Sequence, residues 1–434
     1  MKKALIITYY WPPAGGPGVQ RVLNIVEHLS EFGWEPIILT VETPSAPSID
    51  KSLLSRIPQN CKVYRTNTSE PFAAYKKLTG KKAGTALPKN ISFDRKTSFS
   101  ENLSQWIRAN FFIPDARKGW KRFMVKEGLR IIKDEKPDII FSTSPPHSLQ
   151  LGAKQLAKKS GIPWVSDLRD PWTEAYWETQ MPKTSRSKKL NLKYEKQVLS
   201  TATHITTVGP GIQKLIKQKT ARPVSVIYNG YRNLENEWVK TEYFEIVHLG
   251  NLSSMQSCHE LIEAVLLLSE EEKKKLRLVF IGTLAHEYKI ILDSYPKINT
   301  EYINFLPYKE MIYRARSASM LFLPKLNSFF LPKLNSFYSH IAISAKLFDY
   351  LALRRPILAI TDKGSDIEAI LGKTGSGQSF LPEEIKEISN CIIKNMKDAL
   401  QSPNTIMAHS IKLERYSSRK NVQLLVELFE NSLK

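Results

Sequence analysis

The sequence predicts two tandem, doubly wound parallel-sheet α/β domains, on three observations. Apolar runs of strand length alternate with amphipathic helix patterns from one end of the chain to the other, the signature of parallel sheets covered on both faces. At 434 residues the chain is too long for one ordinary core and suits two or three domains of roughly 100 to 200 residues each. The alternation is interrupted at the turn dipeptide Asn229-Gly230 and the polar segment Tyr231 to Glu242, which reads as a linker.

In the first domain, residues 1–229, strands are predicted at Ala4 to Tyr10, Pro36 to Val41, Cys61 to Tyr64, Ile139 to Thr143, Trp164 to Asp167, His204 to Val208 and Val224 to Tyr228. The opening MKKALIITYYW imitates a secretion signal, but Pro12 and Pro13 follow at once with no small-residue cleavage site, so it reads as a buried first strand. Helices fill the gaps: Gln20 to Phe32 carries Val22, Leu23, Ile25, Val26 and Leu29 on a 3.6-residue stripe and stops at Gly33. In the second domain, residues 230–415, strands are predicted near Glu245 to Leu249, Leu278 to Ile281, Ile303 to Phe305, Met320 to Leu323 and Ile357 to Ile360. Residues 416–434 hold a last helix, about Val422 to Leu433, which packs on the second domain or returns to the first.

Composition narrows the class. With 42% hydrophobic and 24% charged residues the chain builds a packed core, which excludes collagenous and largely disordered proteins. Cys61, Cys258 and Cys391 lie far apart, which excludes a disulfide scaffold or a zinc cluster and suits reduced thiols in a cytoplasmic protein. No apolar run approaches the ~20 residues needed to cross a bilayer. A net charge of +21 favours anionic partners, and it is concentrated: twelve Lys or Arg lie between Tyr75 and Arg122 against Asp94, Glu101 and Asp115. Trp106, Phe111, Phe112, Ile113 and Trp120 are interleaved with them, a mixture that suits a membrane surface; the alternative is a solvated loop and helix. No nucleic-acid-binding module accompanies the charge. The octapeptide FLPKLNSF occurs twice in succession, at Phe322–Phe329 and Phe330–Phe337, a local duplication that lengthens a loop and either reshapes a site or is a tolerated surface insertion.

Ligands of such sheets bind beyond the carboxyl ends of the strands, so loops leaving strands carry the chemistry. The first, Trp11 to Arg21, contains Gly15, Gly16 and Gly18 and opens a helix, so backbone amides and a helix amino terminus face whatever binds there. Arg21 stands where a dinucleotide fingerprint needs its third glycine, which argues against nicotinamide binding. The second region joins Ser142 to His147 with Asp167-Leu-Arg169-Asp170-Pro-Trp172. There His147 and Asp170 are candidates for handling hydroxyl groups and protons, with capping or ion pairing as the alternative. No GxSxG elbow is present, so nucleophilic hydrolysis has no support. The third is Ser344 to Ala359: Ser344 fits an N-cap, and Lys346, Asp349 and Tyr350 share one side of the following helix. A diphosphate at that helix end would meet amides and the Lys346 ammonium while Asp349 accepts ribose hydroxyls; the alternative is an ordinary cap and surface ion pair.

The chain resembles the GT-B glycosyltransferases, in particular the family 4 group with its family 4-like amino-terminal domain. The resemblance covers nearly the whole chain. It rests on the Gly15-Gly16 turn and its helix ending Glu31-Phe-Gly33-Trp, on Ser144-Pro-Pro-His147-Ser with Gly161-Ile-Pro, on Asp167-Leu-Arg-Asp170-Pro-Trp172, on Thr206-Thr-Val208, on Ile227-Tyr-Asn229-Gly230, on His248-Leu-Gly250, and on Lys346-Leu-Phe-Asp349-Tyr-Leu-Ala with Arg-Pro356-Ile-Leu. It implies two Rossmann-like domains facing a cleft, the first holding a glycan or lipid-linked acceptor and the second a nucleotide-diphosphate sugar. It further implies a retaining transfer in cell-surface polysaccharide synthesis, with no metal or other cofactor. His147, Asp170 and Asp349 are the catalytic candidates it points to. Gly15, Gly16, Gly18, Arg21, Gly250, Asn251, Lys346, Leu347 and Asp349 are the donor-binding ones. Three departures stand out: Ile341 replaces the first acid of the family's E-x7-E pair, and Asn251 and Gln256 replace cations that many members aim at the leaving group. The departures keep two other readings open, a nucleotide-sugar-binding scaffold without turnover and a GT-B sugar-nucleotide epimerase.

Overall fold

The computed structural model describes residues 1–42, 46, 48–69, 99–234, 238–239, 241–325, 334–401 and 411–434. The chain divides into two compact units, Met1–Asn229 with Ser418–Lys434, and Gly230–Ser417.

The first unit is built on seven parallel strands: β1 (Lys2–Ile7), β2 (Trp34–Val41), β3 (Lys62–Thr66), β4 (Ile139–Ser144), β5 (Trp164–Leu168), β6 (His204–Thr207) and β7 (Val224–Val226). Their order is β3-β2-β1-β4-β5-β6-β7. The middle strands are continuous apolar runs because both faces are covered: Ala4 to Ile7, Ile37 to Leu39 and Ile139 to Phe141 are all fully buried. Strand order reverses between β1 and β4, so the loops leaving these two strands flank the crevice where such sheets take ligands.

Helix α1 (Pro17–Leu29) starts earlier than its periodicity suggests. Pro17 fits the first turn, where its missing N–H costs nothing, and the last expected turn tightens into a 3-10 turn at Ser30–Phe32 before left-handed Gly33. Along the rest of the unit lie α2 (Phe99–Phe111), α3 (Lys121–Glu135), α4 (Ser148–Ser160), α5 (Tyr176–Gln180), α6 (Ser185–Thr201) and α7 (Pro210–Lys217). Of the basic stretch between Tyr75 and Arg122, residues up to 98 lie outside the described residues.

The second unit has six parallel strands in the order β10-β9-β8-β11-β12-β13: β8 (Phe244–Leu249), β9 (Leu276–Ile281), β10 (Thr300–Ile303), β11 (Met320–Leu323), β12 (Ile357–Ile360) and β13 (Gly377–Phe380). Its order reverses between β8 and β11. Around it lie α8 (His259–Leu266), α9 (Glu270–Lys275), α10 (His286–Asp293), α11 (Tyr308–Ala315), α12 (Leu334–Ile341), α13 (Lys346–Leu353), α14 (Asp366–Thr374), α15 (Ile385–Gln401) and α16 (Ile411–Glu414). Two strands escape the hydrophobic pattern, and both are edges. Edge strand β10 ends before Phe305, which is 61% exposed, and β13, with the sequence Gly-Gln-Ser-Phe, has no apolar run at all. Gly377 is there because a Cβ would stand 2.0 Å from the Ile357 carbonyl oxygen.

The last helix, α17 (Ser418–Ser432), belongs to the first unit. Phe429 is fully buried against Trp34 and Phe141, with ring centroids 5.2 and 5.9 Å away, and Asn421 Oδ1 accepts from the Tyr228 amide at 2.8 Å. Each large apolar side chain so buried stabilises by about 1.5–3 kcal/mol, which fastens the terminus to the sheet it left at β7.

Candidate functional site

In the first unit the loop after β1 folds onto the segment around Ser48. The Gly15 amide donates to the Ser48 carbonyl at 2.9 Å, and a side chain at 15 would strike Ser48 Oγ at 2.7 Å. Gly15 is therefore occupied inside the unit and offers no amide to a ligand. Gly16, at φ +105°, forms the left-handed corner that starts α1. Gly18 makes room for Arg169, whose guanidinium lies 3.0 Å from where a Cβ would be.

Arg21 does not face a ligand either. Its Nη2 and Nε donate to the two oxygens of Asp167 at 2.7 and 3.0 Å, and its Nη1 donates to the Ile227 carbonyl at 2.9 Å and to Asn229 Oδ1 at 3.3 Å. Both Arg21 and Asp167 are fully buried, and Thr143 and Thr206 complete the carboxylate shell with hydroxyl donors at 2.6 and 2.7 Å. Burial pushes the Asp167 carboxyl up, but the Arg21 charge and these hydrogen bonds outweigh it and hold the group below its ordinary value. The donor-binding expectation for Arg21 is corrected: the guanidinium ties β5 to α1 and to the segment after β7.

His147 precedes α4 and lies flat on Trp172, ring centroids 4.6 Å apart and 12° from parallel. Its Nδ1 is 3.2 Å from Ser144 Oγ, while the buried Nε2 has no hydrogen-bond partner among the described residues. Burial pushes its pKa down to about 3, helped by the charges of Arg169 and Lys183. The imidazole is thus neutral near pH 7. Arg169 holds the loop after β4 by donating to Thr143 Oγ1 at 2.6 Å and to the Pro145 carbonyl at 2.8 Å. Half-buried Asp170 follows it, so His147, Arg169 and Asp170 do come together at the carboxyl ends of β4 and β5. The stacking partner Trp172 was legible only as part of a sequence motif.

In the second unit Lys346 reaches back along α13 to the end of β8. Its Nζ is 2.8 Å from His248 Nε2 and donates to the Asn251 carbonyl at 2.8 Å. Gly250, at φ +80°, leaves space for it: a Cβ there would be 3.2 Å from Lys346 Cε. Burial pushes the Lys346 pKa down to about 7, Asp349 acting in the opposite direction. Asp349 Oδ1 accepts from the Tyr308 hydroxyl at 2.7 Å. Tyr350 is buried, donating to the Phe322 carbonyl at 3.0 Å and accepting from the Leu249 amide at 3.1 Å.

Two expectations on this helix are corrected. Ser344 is not the cap: Ala345, already helical, occupies that position, and the Ser344 carbonyl instead accepts from the Leu347 amide at 3.0 Å. With its amide so used and its side chain fully buried, Leu347 serves the core and is not a donor contact. The amides of Ser344, Ala345 and Lys346 have no hydrogen-bond partner among the described residues. Tyr308 was not singled out from sequence, and His248 and Tyr350 were named there without these contacts, because what aims them is the strand order that brings β8 beside β11. Among the described residues no group of three His, Cys, Asp or Glu side chains is placed to hold a metal ion.

Residues 91–232 match Glycosyltransferase Family 4. The probable glycosyltransferase WbjE of Pseudomonas aeruginosa is 22% identical over 271 residues, 57% of this chain and 63% of that protein, so the match spans under two thirds of the relative's length. Among solved structures, Anabaena Alr3699/HepE in complex with UDP-glucose is similar at a TM-score of 0.58, 12% identity, and coverage of 99% of this chain and 100% of that one. A glycosyltransferase from Rickettsia africae ESF-5 is similar at a TM-score of 0.57, 12% identity, and coverage of 100% and 99%. Two parallel-sheet α/β units are what these folds share with this one. The chain has the fold of these solved glycosyltransferases, and its residues 91–232 are similar to Glycosyltransferase Family 4.

Proposed function

We propose that the chain is a retaining glycosyltransferase that moves a sugar from a nucleoside-diphosphate sugar to a glycan or lipid-linked acceptor in cell-surface polysaccharide synthesis. The observation that carries this is the Lys346 ammonium at the switch point of the second unit, held by two neutral acceptors and bordered by the open amides of Ala345 and Lys346. A diphosphate supplies the negative charge this arrangement lacks. Asp349, with Tyr308 on one oxygen, takes the ribose hydroxyls. HepE, which has this fold, is in complex with UDP-glucose, and a donor of that class is the reading here. Transfer breaks the bond from the anomeric carbon to the diphosphate and forms one to an acceptor hydroxyl. Lys346 stabilises the departing charge without a metal, and neutral His147 and Asp170 in the first unit handle the acceptor.

Placement on the cytoplasmic face of an anionic membrane is part of the same proposal. Among the described residues no helix is long and apolar enough to cross a membrane. Helix α2 instead exposes Leu103, Trp106, Ile107 and Phe111 at 40–61%. Lys118, which donates to the Phe111 carbonyl, lines a cavity of about 510 Å³ together with Lys121 and Arg122. Apolar side chains rimmed by cations suit the headgroup layer.

Thermal-shift screening with UDP, GDP and ADP tests the donor site, since a true ligand raises the midpoint by mass action. Lys346→Ala is expected to abolish the shift; a shift that survives refutes the assignment. Asn251 and Gln256, in place of two cations, favour the second reading, a binding subunit without turnover. Product analysis with a labelled donor separates the two: transferred sugar supports the enzyme, and saturable binding with an intact donor supports the subunit. Conversion of the free nucleotide sugar would instead point to an epimerase.

A further inference from the structure

The atoms behind Lys346 form a short relay. The Phe322 carbonyl oxygen, on β11, can only accept, and it lies 3.0 Å from His248 Nδ1 and 3.0 Å from the Tyr350 hydroxyl. The imidazole proton therefore sits on Nδ1, and Nε2 presents a lone pair to the Lys346 ammonium 2.8 Å away. His248 is 1% exposed, so its ring has no freedom to turn. Burial and the Lys346 charge push its pKa well below the ordinary histidine value, which keeps it neutral and accepting.

We propose that His248 is a positioning residue for the diphosphate-binding cation: its Nε2 holds Lys346 against the Gly250 turn without cancelling the ammonium charge. This rests on the reading of Lys346 as the diphosphate contact. A carboxylate at 248 would hold the lysine equally well but neutralise it, and an aliphatic side chain would leave an ammonium hydrogen unpaired. Imidazole, locked in this tautomer, is an acceptor that does neither. The groups facing Lys346 are few: His248 from β8, the Asn251 carbonyl from the following turn, and Asp349 from its own helix with Tyr308 of α11 behind it. Among the described residues no carboxylate is within ion-pair distance of Lys346.

A consequence is proton-linked binding. The unliganded lysine titrates at about 7, so affinity for a diphosphate is full below that pH and falls as pH rises through it. At pH 8 binding should draw a proton from buffer.

The test is calorimetric titration of the full chain with UDP, GDP and ADP between pH 6 and 9, using wild type, His248→Leu, His248→Glu, His248→Gln and Lys346→Ala. His248→Leu is expected to weaken binding by about tenfold or more at pH 7 and to move the midpoint of the affinity–pH curve down. His248→Glu is expected to weaken binding at pH 6 and to move that midpoint up, while His248→Gln, whose amide oxygen can accept, stays within about threefold of wild type. A structural role alone would move both midpoints alike or not at all, and either result overturns the inference, as does wild-type affinity in His248→Leu. Undiminished affinity in Lys346→Ala overturns the donor-site reading beneath it, and so does failure of all three nucleotides to bind the wild type.

Discussion

Replacing Arg21 with Met removes a guanidinium while keeping most of its aliphatic volume. The change breaks two hydrogen-bonded contacts to Asp167 and leaves the Ile227 carbonyl without that donor. Losing one partner of a buried ion pair costs about 3–5 kcal/mol, and the stranded carbonyl adds about 1 kcal/mol. Against a domain stability of about 5–15 kcal/mol, the first unit loses a large fraction of its margin. Asp167→Asn should cost a similar amount, because it strands the arginine instead, and the double variant should cost less than the sum by about 2 kcal/mol. The pH dependence weakens. In the wild type Asp167 sits below its ordinary 3.8, so its contribution is present above that pH and lost on acidification. In Arg21→Met the Arg21 charge no longer opposes burial, while the Thr143 and Thr206 hydroxyls and the Arg169 charge remain, so the Asp167 pKa rises from its wild-type position and less stability is lost on acidification. Urea unfolding read by tryptophan fluorescence is the assay, since seven of the eight tryptophans, Trp11, Trp34, Trp106, Trp120, Trp164, Trp172 and Trp177, belong to the first unit. A variant within about 1 kcal/mol of wild type but with lost nucleotide affinity would refute the reasoning and restore Arg21 as a ligand contact.

Three further outcomes are expected. His147→Phe keeps the stack on Trp172 and removes a group whose pKa drops from 6.5 to about 3 on folding; the wild type loses stability as pH falls below 6.5, and the variant should lose less of it over the same range in acid-unfolding curves. Phe429→Ala empties a fully buried site between Trp34 and Phe141 and should destabilise the first unit by about 3–5 kcal/mol in the same urea assay. Deleting residues 326–333 joins Lys325, two residues past the end of β11, to the LNSF that begins α12 and restores one copy of the duplicated octapeptide; on the reading of the duplication as a tolerated insertion, the melting temperature should change little.

The sequence made the buried strands legible and left the edges obscure, and the reason is physical. β4, β11 and β12 match their apolar runs almost residue for residue because both faces are covered, whereas β10 and β13 are edges, where hydrophobicity no longer marks a strand. Helix α13 was legible around Lys346 and Asp349, but its cap was misread because Ser344 is the favoured residue type at a position the backbone does not use as a cap. The His248 contact stayed hidden for a different reason: nothing in a linear sequence says that a histidine ending one strand points at a lysine 98 residues later.

Arg21 and Lys346 were both expected to meet a diphosphate, Arg21 after the Gly15-Gly16 turn and Lys346 at the helix start after Ser344, and the fold gives them different surroundings. Arg21 has a carboxylate, two hydroxyls around that carboxylate, and a backbone carbonyl, so its charge is satisfied in the unliganded fold and an added anion would have to compete with Asp167. Lys346 has an imidazole nitrogen and a carbonyl, neither of which offsets its charge; burial lowers its pKa to about 7, and Asp349 opposes this only in part. Arg21, which already has its anion, holds the fold together, whereas Lys346, with neutral acceptors at its ammonium, is the cation the proposed reading gives to a diphosphate.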